Sequence, residues 1–89
     1  MTEEYRYPLR AVALQTGLSG HVIRVWERRY GAVKPERTDG GRRCYREEDI
    51  ARLKKLARLT GAGHRISELA VMGEGELEGL LAEVGTGGG

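Results

Sequence analysis

A single cysteine, Cys44, excludes an internal disulfide and any zinc site built from several cysteines. No apolar run approaches the length needed to span a bilayer, and the opening MTEEYRYP is charged, with none of the apolar core of a secretory leader. No internal repeat is visible. The two histidines, His21 and His64, stand far apart, no Cys–His pair occurs, and the carboxylates gather at helix ends or in the tail. Eighty-nine residues support one core and leave no room for an enzyme cleft of ordinary size. The expectation is a soluble, cytoplasmic protein that is not an enzyme, contacts no membrane, and holds no metal or cofactor within this chain.

Charge is present but unevenly placed. The net value is +2, yet residues 1–67 hold all 15 lysines and arginines against eight acids, whereas residues 68–89 hold five acids and no base. The basic character belongs to the body of the chain and the acidic character to its tail, the balance of a domain that meets a polyanion.

The most informative stretch is Leu18–Gly31, LSGHVIRVWERRYG. Ser19 is a favoured N-cap, so a helix is predicted from about Gly20. Ile23, Trp26 and Tyr30 fall on one apolar face, and His21, Arg24, Val25 and Arg28 on another. Such a helix, anchored by an aromatic on one side and cationic on the other, suits a DNA major groove, although an arginine-rich face also arises simply because arginine is soluble. The preceding residues favour the groove. Val12, Ala13, Thr16, Gly17, Leu18, Ile23 and Trp26 have the spacing of a helix-turn-helix: Ala13 permits close helix approach, Gly17 takes positive φ at the turn, and Leu18 fills the angle.

Pro8 suits a first helical position, and Leu9, Val12, Ala13 and Thr16 give a short first helix ending at Gly17. Beyond Gly31, Pro35 permits only an edge strand, Thr38–Gly41 is a turn, and Arg42–Tyr45 returns as a second strand. Arg37, Arg42 and Arg43 then sit where a wing meets phosphate, with Gly41 allowing close backbone approach, while Cys44 faces inward as a small hydrophobe. Glu47, Glu48 and Asp49 open a third helix and Arg52, Lys54, Lys55 and Arg58 close it, in the order that complements the helix dipole. His64 and Arg65 lie in the next loop, where a second phosphate contact fits. Ile66, Leu69 and Ala70 mark a short helix, and Leu77, Leu80, Leu81 and Val84 an amphipathic one. The organisation expected is a winged helix-turn-helix DNA-binding domain over residues 1–72, then a short acidic helix and flexible glycine-rich end over 73–89, the start of a linker to an effector domain. Removing 74–89 is expected to leave DNA binding intact unless the helix is needed for folding.

The order of residues resembles the DNA-binding domain of the MerR superfamily of transcription regulators. The correspondence runs from Tyr7 through Ala13, Thr16, Gly17, Leu18, Ser19, Ile23, Arg24, Trp26 and Glu27 to the wing residues Pro35, Arg37, Gly41, Arg43 and Tyr45, and on to Ile66. WERRYG followed by RTDGGRR is most similar to the branch whose longer members carry a cobalamin-binding, light-responsive domain. The resemblance implies a mainly α fold with a small β-hairpin, a MerR-like winged helix-turn-helix that recognises inverted-repeat operators as a dimer. It implies a DNA-facing set of Ser19, Gly20, His21, Arg24, Val25, Arg28, Arg37, Gly41, Arg42, Arg43, Tyr45, His64 and Arg65. Arg46 stands where such proteins usually place a Ser or Thr cap. The chain ends before the long dimerisation helix, so the isolated chain is expected to be monomeric and a longer parent protein dimeric or higher, with any cobalamin held by that parent. Two other functions use the same features: an excisionase-like protein that bends DNA, and a protein-interaction module whose basic helix meets an acidic partner.

Overall fold

The computed structural model describes residues 7–37 and 43–87. The chain is mainly helical: α1 (Leu9–Thr16), α2 (Gly20–Val25) continuing as a π-helical segment (Trp26–Tyr30), β1 (Glu36–Arg37), β2 (Arg43–Cys44), α3 (Glu47–Gly61), α4 (Ile66–Leu69) and α5 (Glu74–Gly87). No helix is long and apolar enough to cross a membrane among the described residues.

Pro8 precedes α1 in extended conformation, with φ −73° and ψ 163°, so the helix starts one residue later than proline's preference for the first turn predicts. Gly17 ends it with φ 78°, its amide donating to the Ala13 carbonyl at 2.9 Å. Nothing lies within 4 Å of where a Cβ on Gly17 would stand, so the backbone conformation, and not crowding, calls for glycine there. Thr16 finishes the turn from both sides: its hydroxyl donates to the Val12 carbonyl at 2.8 Å and accepts from the Leu18 amide at 3.2 Å. The close approach of α1 and α2 falls at Gly20, where a Cβ would come within 3.3 Å of the Leu9 side chain.

α3 is the central element and packs against α1, α4 and α5. Ile50, Leu53, Leu56 and Leu59 recur along its buried face and meet Val12, Ile23, Trp26, Tyr45, Leu69 and Leu77 in one core. At its N-terminus the Asp49 carboxylate accepts the Arg46 amide at 3.0 Å, while the Asp49 amide donates to the Arg46 carbonyl at 3.0 Å in place of a side-chain cap. An arginine side chain, having no acceptor, cannot return that bond. β1 and β2 pair antiparallel, Glu36 opposite Cys44 and Arg37 opposite Arg43, and a bridge from Tyr7 to Tyr45 ties the start of the described chain alongside. The proposed turn Thr38–Gly41 and Arg42 lie outside the described residues. Ala32 and Val33, expected as part of an edge strand, are instead buried in the core before β1 begins. Cys44 is buried as expected, its thiol donating to the Glu36 carbonyl at 3.5 Å.

α5 departs from the expected short helix with a loose glycine end, because it continues through Gly85 to Gly87. The Glu76 carboxylate accepts the Gly73 amide at 2.9 Å across its first turn, and Leu77 is fully buried against the rest of the core. This helix is a structural part of the domain. Removing residues 74–89 would take the buried Leu77 out of the core.

Candidate nucleic-acid interface

The helix expected to read DNA is held from one side and free on the other. The Ser19 hydroxyl caps α2 by accepting the Val22 amide at 3.1 Å, and Ile23 and Trp26 turn inward with no more than 8% exposure. His21, Arg24 and Arg28 are exposed on the outside, as the spacing predicts, beside the exposed Ser19 and the half-buried Gly20. Val25, expected with them, is half-buried and packs on the core. It supports the helix rather than extending its outer face.

After Val25 the helix widens to π geometry, in which each turn takes in an extra residue. Positions four and five beyond Arg24 therefore straddle it. Arg29, which a wheel of fixed α-helical period assigns elsewhere, is exposed and joins Arg24 and Arg28, its guanidinium lying 5.9 Å from the Tyr30 ring. Gly31 closes the segment with φ 62°; its amide donates to the Glu27 carbonyl and the Ala32 amide to the Trp26 carbonyl, each at 3.1 Å.

Glu27, Glu36 and Glu48 have partners within the chain. The Tyr45 hydroxyl donates to the Glu27 carboxylate, and the Arg46 guanidinium pairs with Glu36 and, at 3.6 Å, with Glu48. Tyr45 corrects the expectation that it faces DNA: it is fully buried, and its ring fills the core beneath β2. Cys44 and Tyr45 are both buried, so strict alternation ends at β2, and Tyr45 is held by its bridge to Tyr7 with amide–carbonyl distances of 2.8 and 2.9 Å. Arg37 and Arg43 occupy one cross-strand position in the ladder. Gly41 and Arg42 lie outside the described residues. His64 is half-buried, its amide bonded to the Leu59 carbonyl at 3.0 Å, and Arg65 is exposed at the start of α4, which packs on the π-helical segment.

The cations of α3 divide. Lys54 and Arg58 are exposed, whereas Arg52 and Lys55 are turned into the protein. Arg52 donates from Nε to the Ala32 carbonyl at 2.6 Å, from Nη2 to the Ala70 carbonyl at 3.0 Å and from Nη1 to Glu74 at 3.0 Å. Lys55 reaches Glu74 at 2.8 Å and Glu78 at 3.1 Å. Hydrogen bonds to Glu74 and then Glu78 hold the Lys55 ammonium above its ordinary pKa. Burial pushes the Glu74 carboxyl upward, but hydrogen bonds from Lys55 and Arg52 outweigh it and leave the group below its ordinary value. The acidic tail and the basic body are thus not simply separate regions. This pairing went unseen in the sequence because the partners are about twenty positions apart.

Among the described residues, no group of three or more His, Cys, Asp or Glu side chains is placed to hold a metal. An open groove of about 450 Å³ is bounded by Thr16, Lys54, Lys55, Ala57, Arg58 and Leu81. A family model described as MerR HTH family regulatory protein matches residues 7–75, from the bridge at Tyr7 to the first turn of α5. The chain belongs to the MerR HTH family. It is 46% identical over 81 residues, 91% of its length, to the HTH-type transcriptional repressor CarH of Myxococcus xanthus, and 38% identical over 66 residues, 74% of its length, to the HTH-type transcriptional regulator MlrA of Salmonella typhimurium. These relatives are transcriptional regulators rather than enzymes, and the matched region spans only 27% of each.

Proposed function

We propose that this MerR-family chain is a sequence-specific double-stranded DNA-binding module, the operator-recognition part of a transcriptional regulator, and a repressor as its relative CarH is named. In this reading α2 and the π-helical segment enter the major groove, and β1 and β2 form a wing against flanking phosphate. The observation that carries it is the exposed set His21, Arg24, Arg28 and Arg29 on a helix whose opposite side, Ile23 and Trp26, is buried. Cations placed there by a fixed anchor meet a groove as one rigid face. The register is compatible with this, since it sets Arg37 opposite Arg43 in the ladder, at positions where a wing would meet phosphate. Arg65 serves as a further phosphate contact beside the recognition helix. Pairs of such modules occupy inverted repeats within a longer protein, while the isolated chain is monomeric.

The test is a set of arginine variants titrated against a duplex selected for binding from a random pool. Arg24→Ala and Arg28→Ala should each cost about 1–3 kcal/mol on the selected site and relax its specificity where the side chain meets a base. Arg43→Ala should lower the slope of log affinity against log salt by about one unit and leave base preference unchanged. Wild-type affinity in both helix variants contradicts the assignment.

A further inference from the structure

We infer that Arg52 is a positioning residue that couples the seating of α5 to the C-terminal end of the recognition helix, so that displacing α5 weakens DNA binding without any change in a DNA contact. The consequence for binding rests on the DNA-binding reading above; the coupling itself does not.

Three segments meet at one guanidinium. Nε holds the carbonyl of Ala32, Nη2 the carbonyl of Ala70 just past α4, and Nη1 the carboxylate of Glu74 at the start of α5. The Arg52 side chain is only 15% exposed, and the guanidinium is a rigid plane, so it cannot follow one partner without turning away from the others. Ala32 is gripped on both sides. Its amide closes the π-helical segment on the Trp26 carbonyl, while its carbonyl is held by Arg52. The last turn that carries Arg28 and Arg29 is therefore fastened to α3 through this residue, and the fastening is completed by an acid of α5. Lys55 reinforces it by holding the other oxygen of Glu74 and reaching Glu78 one turn on. A competing cation at Glu74, or a pull that lifts α5, releases the guanidinium and loosens the end of the recognition helix.

Glu74→Lys in the full chain separates this from a simple charge effect. Backbone amide exchange by NMR should accelerate at Gly31 and Ala32 by about fivefold or more, the low end of measured coupling between sites, while Val12 in α1 keeps its wild-type rate. Affinity for the selected duplex should fall by a similar factor, although the variant loses a negative charge and gains a positive one, a change that by itself favours phosphate. Arg52→Lys, which keeps the charge but loses the fork, should reproduce both effects. Should Glu74→Lys fail to fold, Glu74→Ala, which removes the acceptor without adding a cation, gives the same readout. Exchange at Gly31 and Ala32 that stays at the wild-type rate, or accelerates uniformly with Val12, overturns the coupling. Faster exchange at the two cap amides with unchanged or raised affinity overturns its link to binding. A wild-type chain with no duplex affinity rejects the DNA-binding reading, and the exchange rates then decide the coupling alone.

Discussion

Trp26 shows how one residue serves both packing and the geometry of the helix that follows it. It is 8% exposed in the core, its carbonyl receives the Ala32 amide, and its position at the change from α to π geometry sets the direction of the arginines that follow. Trp26→Ala should cost about 3–5 kcal/mol, a large part of the stability of a domain this size, seen as an early urea or thermal transition. A variant that stays folded with wild-type stability and loses only DNA affinity shows that the ring is a contact and the anchor face is rotated. At this scale the sequence was legible wherever the signal was local. Ser19, Ile23, Trp26 and Gly17 follow from capping chemistry, short-range spacing and backbone freedom. Arg29 was hidden because a wheel assumes one period, and Tyr45 was misplaced because its burial depends on Tyr7 and Glu27, both distant in sequence.

Among the elements, α5 shows what a sequence pattern leaves out. Its Leu77 stripe announced an amphipathic helix, but only the fold reveals that Glu74 and Glu78 complete the partners of Arg52 and Lys55. The pH dependence of the seating follows from the directions of the two shifts. Glu74 has its folded pKa depressed, so its contribution is present above its ordinary value of 4.5 and is lost as pH falls through the lowered one. Lys55 has its folded pKa raised, so its contribution is present below its ordinary 10.5 and is lost as pH rises through the raised one. Stability from this network is therefore level near neutrality and declines at both extremes. Glu74→Gln should flatten the acid side by about 1 kcal/mol or less, because the carboxylate is half-exposed and screened. Urea melts of both proteins between pH 3 and 7 check this; an unchanged acid decline shows that other carboxylates carry it. The turn residues that announced a hairpin lie outside the described residues, and Ala32 and Val33 were drawn into the core by tertiary packing that no local propensity encodes.

For the whole molecule, the central claim is that one side of the domain is left to DNA while the opposite charges are settled internally. The exposed cations of α2 and the π-helical segment, together with Arg65, define that side, and α5 packs on α3 with its acids against Arg52 and Lys55. Exposed Lys54 and Arg58 are the rival surface, since the groove they border also presents cations to a duplex. Amide chemical-shift mapping of the labelled chain, titrated with a duplex selected from a random pool, distinguishes the two most directly. The largest changes should fall on residues 19–29, on Arg37 and Arg43 in the strands and on Arg65, while residues 76–84 of α5 keep their free positions. Changes concentrated at Thr16, Lys54, Arg58 and Leu81, with His21, Arg24 and Arg28 unmoved, contradict the account.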